Sequence, residues 1–262
     1  MIRSLISALV RASPLVRALR DLAQWPYKSL MRLFRRFIFA YKERGMATNY
    51  LTTFREDPKF RLAYLRGIKS LGVDYGLHFR IHQAIWAAET ARYVRGDFVE
   101  MGVGTGFMMS AVMEYVDWWA FSGKQLWLVD TFAPNLVTDN QDQSKSPIFR
   151  RDAYAYSMEE TRENFRSYEN VRFIKGLIPN CLDQLEADAI SFIHIDLNHA
   201  EAELNGLRSV WNKLSIGGVI LLDDYGFPNR LDQHDGMNQL AGELDFSILT
   251  LATGQGIAIK RS

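Results

Sequence analysis

The chain has 262 residues, 48% hydrophobic and 23% charged, an ordinary globular composition for one large core or one core plus an appendage. Its formal net charge of +1 hides an asymmetry: residues 1–45 carry about +8 and the remainder about −7, so the body is mildly acidic, which argues against a nucleic-acid-binding body. The single cysteine, Cys181, excludes an internal disulfide and a cysteine metal cluster, and points to a reducing, cytoplasmic setting.

Residues 1–45 read as a basic amphipathic extension of two helices. The first runs to about Ser13 and breaks near Pro14. The second starts at Pro26, a favoured first-turn position. Leu30, Leu33, Phe34, Phe37, Ile38 and Tyr41 share one face of it, and Lys28, Arg32, Arg35 and Arg36 the other. Such a helix packs on the main domain or on a second subunit of a homo-oligomer, or lies on an anionic membrane surface as a peripheral contact. The longest uncharged run there, Ser4–Val10, is far short of the ~18–20 apolar residues of a membrane span.

Residues 46–262 form the main domain. Its lead-in, 46–95, reads as two helices, 57–71 and 78–94, joined by the GVDYG turn of residues 72–76. From Gly96 onward the chain alternates. Strands are expected at 97–100, 126–130, 171–175, 190–196, 217–223, 245–251 and 256–260, and helices at 107–116, 157–167, 179–186, 200–214 and 235–244. Alternation of this length gives an α/β fold, a parallel sheet with helices on both faces. The polar, aperiodic stretch 133–155 is long for a connection in such a fold and reads as a substrate loop or lid.

In open parallel sheets, ligands bind beyond the carboxyl ends of the strands, and here those ends carry the polar residues. The first strand runs into Glu100 and then glycines at 102, 104 and 106. This tight turn lets a ligand lie against bare backbone. The dinucleotide fingerprint needs its third glycine at 107, where this chain has Phe107. The second strand ends in Asp130, placed for a bidentate bond to ribose hydroxyls, with Thr131 beside it as the alternative helix cap. The fourth ends in Asp196, with Asn198 and His199 following. The fifth ends in Asp223 and Asp224, which repel each other unless a cation or a cluster of donors neutralises them. Asp196, Asp223 and Asp224 together suit a hard divalent ion, magnesium above all. The core histidine His194 reads as a satisfied buried residue. His82, behind Arg80, together with His234 and the TGQG loop of residues 253–256, are further candidates for lining the site.

Five segments carry a resemblance: 76–107, 126–132, 171–185, 192–203 and 213–227. Together they are similar to the macrocin O-methyltransferase family, metal-dependent class I methyltransferases that act on sugar hydroxyls of natural products. The resemblance implies a seven-stranded Rossmann-like sheet with an antiparallel last strand. It implies S-adenosylmethionine as donor, held by Glu100, Gly102, Gly104, Thr105, Gly106, Asp130 and Thr131, with Gly176 and Leu177 edging the adenine pocket. It implies magnesium on Asp196, Asp223 and Asp224, and a small-molecule or glycan acceptor. The family pattern has a second acid two residues after Asp196, proposed there as general base. This chain has Asn198, and a neutral amide takes no proton. His199 is the nearest replacement base, beside Asp196. Two other readings stay open: a protein that binds the donor but has lost the chemistry, and a nicotinamide-dependent oxidoreductase.

Overall fold

The computed structural model describes residues 40–120, 123–133 and 156–262. Of these, 40–42 and 46–51 group apart from 43–45 and 52–262, and each group is compact by itself. The expected helices before residue 40, and almost all of the expected loop at 133–155, lie outside the described residues. Where the expected second helix reached Tyr41, the chain is a strand. Tyr41–Glu43 (β1) pairs with Met46–Thr48 (β2) through a turn in which Arg44 and Gly45 both have positive φ, 20° and 31°.

Pro58–Leu71 (α1) starts where sequence rules place it. Asp57 accepts from the Lys59 N–H at 3.0 Å, Pro58 needs no donor there, and Gly72 closes the helix in the left-handed region. His78–Ala91 (α2) buries a face of small residues, Ala84, Ala87, Ala88 and Ala91, with Ile81 and Ile85. Next come Asp97–Met101 (β3), Phe107–Val116 (α3) and Leu126–Asp130 (β4). Gly67 of α1 lies so close to α3 that a Cβ would stand 2.9 Å from the Phe107 carbonyl oxygen. Beyond residue 156, the chain forms Met158–Phe165 (α4), Val171–Lys175 (β5), Ile190–Ile195 (β6), Ala200–Val210 (α5), Leu214–Leu222 (β7), Leu231–Glu243 (α6), Leu249–Thr250 (β8) and Gly256–Ile259 (β9).

The seven strands from β3 onward form one sheet in the order β5-β4-β3-β6-β7-β9-β8. The first five pair in parallel, and β9 is antiparallel to both β7 and β8. Alternate residues feed two cores. Phe98, Leu128, Phe192 and Leu221 pack against α1, α2 and α3 on one face. Val99, Val129, Ile193 and Ile220 pack with α5 and α6 on the other. The chain reverses direction across the sheet between β3 and β6, and in such folds that crevice takes the ligand.

Several boundaries differ from the sequence expectation. The segment 179–186 is a short 3-10 helix, Asn180–Gln184. The helix expected over 200–214 ends at Val210 and passes through a 3-10 turn into β7. The strand expected over 245–251 shrinks to two residues. Asp245 takes a left-handed conformation (φ 55°) and the Phe246 N–H returns to Ala241, so the end of α6 consumes the start of that strand.

Candidate functional site

A cavity of about 800 Å³ opens at the carboxyl ends of β3, β4, β6 and β7. All four strand ends singled out in the sequence reach it, as do Gly176, Leu177 and His199.

The three glycines of the first turn all have positive φ, but they serve different ends. At Gly102 a Cβ would stand 2.0 Å from the Asp196 carbonyl oxygen, so this glycine lets the ends of β3 and β6 touch backbone to backbone. Gly106 is the N-cap of α3, and there a Cβ would strike the Phe165 ring at 2.3 Å. Only Gly104 faces open space, its nearest would-be neighbour being Tyr156 at 4.0 Å. Next to it, Thr105 lines the cavity, and its buried Oγ1 has no hydrogen-bond partner among the described residues. A bare backbone beside an unspent hydroxyl suits a polar ligand. On the far side Gly176 packs on Cys181, while the Leu177 side chain is 61% exposed at the cavity edge, an apolar surface open to a flat ring.

Asp130 is the hub of this half. Its Oδ2 accepts from the Val103 and Gly104 N–H groups at 2.7 and 3.0 Å, and its Oδ1 from the Phe132 N–H at 2.8 Å. Thr131 donates to its Oδ1 at 3.3 Å. The Tyr156 hydroxyl stands 3.2 Å from each oxygen. One carboxylate thus stitches the glycine turn to β4 and presents its outer edge to a hydroxyl.

The other half is a chain of buried ionisable groups. Glu100 lies beneath the turn, its Oε1 2.9 Å from His194 Nδ1 and its Oε2 without a partner among the described residues. His194 Nε2 faces Asp223 Oδ1 at 3.8 Å, an ionic contact longer than a hydrogen bond. Gln255 donates to that same oxygen at 2.9 Å. Arg80 Nη1 pairs with Asp223 Oδ2, and its Nη2 donates to the Asp223 carbonyl at 2.8 Å. Burial works against charge on His194, yet Asp223 and Glu100 at its two nitrogens push its pKa up to about 10. Burial also raises Glu100, so this pair keeps its proton through neutral pH. Asp223 goes the other way: burial would raise it, but Arg80 and His194 hold it well below the usual carboxylate range. Asp224 is raised by burial and by Asp223, with Arg80 and Arg230 each 3.8 Å away.

Asp196 is raised well above the ordinary carboxylate value by burial and by Asp223 and Asp224. Its Oδ1 accepts from Asn198 Nδ2 at 3.1 Å. The Asn198 amide oxygen and backbone carbonyl in turn accept from Arg230 at 2.5 and 3.1 Å. Asn198 has φ 56°, which asparagine tolerates better than most residues. His199 is the N-cap of α5, its Nδ1 accepting from the Ala202 N–H at 3.3 Å. A neutral imidazole bonded in this way carries its proton on Nε2 and has no second lone pair to offer. His199 can therefore act as a base only by giving up the cap.

Among the described residues, no group of three or more acidic, histidine or cysteine side chains is arranged to hold a metal ion. The expected donor set of Asp196, Asp223 and Asp224 does not fit one as it stands, because the Arg80 guanidinium is paired with Asp223 and stands 3.8 Å from Asp224, where its charge repels a cation. His82 stacks on Phe54 at 4.1 Å and His234 bonds to Asp235, and neither lines the cavity. The TGQG loop reaches the site through Gln255 alone. Sequence reasoning missed Tyr156 and Arg230, and it held Gln255 only as one member of the TGQG loop. Arg230 had one available sign: an arginine soon after two adjacent acids is a candidate counter-ion for them.

Residues 79–238 match the sequence model of a family described as macrocin-O-methyltransferase. The chain is 31% identical over 166 residues to a demethyldecarbamoylnovobiocin O-methyltransferase of Streptomyces niveus, covering 58% of this chain and 62% of that one. It is 27% identical over 170 residues to an 8-demethyl-8-(2,3-dimethoxy-alpha-L-rhamnosyl)-tetracenomycin-C 4'-O-methyltransferase of Streptomyces olivaceus, covering 58% and 64%. The chain thus spans a little under two thirds of the length of these curated relatives. Among solved structures, the O-methyltransferase NovP matches with a TM-score of 0.58 at 24% identity, over 80% of this chain and 94% of that one. The calicheamicin methyltransferase CalS11 matches with 0.53 at 14%, over 78% and 93%. At these identities the two structures establish the shared fold.

Proposed function

Because the chain belongs to the macrocin O-methyltransferase family, we propose that it transfers a methyl group from S-adenosylmethionine to a hydroxyl of a sugar-bearing small molecule or glycan. The observation that carries this reading is the open Gly104 backbone between the unspent Thr105 hydroxyl and the outer edge of Asp130. Bound there, S-adenosylmethionine supplies a methyl group on a positively charged sulfur. The name of the tetracenomycin relative, which carries a rhamnosyl group, supports a glycosylated acceptor.

The protein's own tasks are binding, orientation and proton handling. Asp130 takes the ribose hydroxyls, Leu177 covers one face of the adenine, and Thr105 bonds the donor's polar edge. The acceptor lies over the ends of β6 and β7. There the amides of Asn205 and Asn229 offer paired donor and acceptor groups to vicinal hydroxyls. Asp196, one oxygen fixed by Asn198, turns the other to the reacting hydroxyl, accepts its hydrogen bond and takes its proton as the oxygen attacks. Metal assistance is left out of this sequence, since Asp223 is committed to Arg80 and Gln255.

Calorimetric titration with S-adenosylmethionine and S-adenosylhomocysteine tests the donor half. Micromolar binding supports it, and no heat with either ligand removes it. Methyl transfer from labelled donor to demethylated, glycosylated antibiotics tests the acceptor half. Asn198, with both amide groups already engaged, favours a second reading, a donor-binding protein without turnover. Tight donor binding with no transfer to any glycoside would select it.

A further inference from the structure

The acids at the strand ends create an electrostatic problem, and the structure contains its solution. Asp223 and Asp224 are adjacent in sequence, both are largely buried, and each raises Asp196. Carboxylates packed in this way need counter-charge. A divalent ion is one source. A buried guanidinium is another, because its planar fork can serve two acceptors at once and never loses its proton.

Arg80 is 2% exposed, and its fork is spent on a single partner residue, Asp223, through the carboxylate and the main-chain carbonyl. The same guanidinium stands 3.8 Å from Asp224 and stacks on Phe227 at 4.9 Å, which fixes its plane. Arg230 stands 3.8 Å from Asp224 on the other side, and through Asn198 it governs the amide that bonds Asp196. Gln255 closes the last free oxygen of Asp223. Each of the three acids is therefore answered by a side chain of the protein, two by arginine directly and the third through an amide that arginine holds.

We propose that Arg80 and Arg230 are the resident counter-cations of the Asp196–Asp223–Asp224 cluster and occupy the electrostatic place of a divalent ion. The neutral Asn198 belongs to the same arrangement. A fourth acid beside Asp196 would add a negative charge to three carboxyl groups that already face only two guanidiniums. The inference concerns the acid cluster alone and is independent of the donor reading.

Manganese alone is the probe, followed by the loss of its free-ion paramagnetic resonance signal on titration into the full chain. S-adenosylhomocysteine binding, measured on the same samples, reports the donor pocket separately. Wild type is expected to take up no manganese tighter than about 1 mM. Arg80→Met is expected to bind it at least about tenfold tighter, and Asp223→Asn in that background should abolish the gain. One manganese bound by wild type at micromolar concentration, with the site lost in Asp223→Asn, would overturn the proposal. So would a folded Arg80→Met that gains nothing. Should Arg80→Met fail to fold, Arg230→Gln carries the comparison. The same gain is expected of it, and its absence would equally overturn the proposal.

Discussion

The Tyr156 hydroxyl stands equidistant, at 3.2 Å, from the two carboxylate oxygens of Asp130. A vicinal diol would approach the carboxylate along that same outer edge. Tyr156 thus occupies the position assigned to the ribose, and donor binding has to displace it. Tyr156→Phe removes the competitor and keeps the ring. S-adenosylhomocysteine should bind about two- to tenfold tighter to this variant, the worth of one net hydrogen bond. Asp130→Asn should weaken binding by at least about tenfold, because the amide can no longer accept on both sides. Calorimetry on the pair checks both values. Looser binding by Tyr156→Phe would mean that the hydroxyl helps hold the donor.

Gly102 and Gly104 both have positive φ, yet alanine at the two should fail in different ways. Gly102→Ala drives a methyl group into the Asp196 main chain. It should cost several kcal/mol, more than the ~1–2 kcal/mol of the left-handed conformation itself, and show up as loss of soluble protein or a large fall in Tm. Gly104→Ala meets open space, so it should cost the fold only that ~1–2 kcal/mol while placing a methyl where the donor lies. Its Tm should fall by a few degrees and donor binding by more than about tenfold. Thermal melts with and without S-adenosylhomocysteine separate the two outcomes.

Glu203 is buried beneath the acid cluster. Its Oε1 accepts from the Leu197 N–H at 3.2 Å and from Gln233 at 2.7 Å. Burial first, and the charge of Asp224 second, push its pKa up to about 8. The folded value lies above the ordinary one of 4.5. The neutral acid's contribution is therefore complete below pH 4.5 and is lost as pH rises through 8. Glu203→Gln keeps the accepting oxygen and cannot ionise. Its stability should match wild type near pH 4 and exceed it by up to roughly 5 kcal/mol at pH 9. Urea melts at the two pH values check this, and an equal gap at both would contradict it.

The donor half of the cavity is built from main-chain groups, Thr105 and Asp130, none of which touches the acids at Asp223 and Asp224. Donor affinity should therefore be the same, within about twofold, with magnesium or with excess chelator. Calorimetry in the two buffers checks this. A chelator-sensitive affinity would place an ion in the donor half.

The strands that bear the site were legible because parallel, doubly covered strands are apolar runs ending abruptly in a charge. LWLVD, ISFIHI and GGVILL leave little choice of register, and the glycine turn marks itself by composition. The edge of the sheet was harder to read. Leu249–Thr250 is short and exposed, so nothing in its pattern separates it from the turn that ends α6. Within the site, sequence showed which acids gather but not what answers them. Arg80 lies 143 residues from Asp223, and Gln255 lies 32 residues beyond it. Only the folded sheet brings α2 and the turn before β9 to the same carboxylate. His194 was legible as a core histidine, but its charge was not, since that depends on which groups face its two nitrogens. His199 drew attention as a candidate base because it follows the strand, yet a polar residue just before a helix is equally a cap, and the structure shows it in that place.

The contact between Gly102 and the Asp196 main chain has a consequence for how this fold can diversify. It leaves no slack between the turn that cradles one reactant and the strand end that meets the other. A change that moved the Asp196 main chain towards the turn would press directly on Gly102. New acceptors must therefore be accommodated by elements that stand clear of this seam, the starts of α5 and α6 and the turn around Asn229. The seam itself is the part of the fold least free to vary.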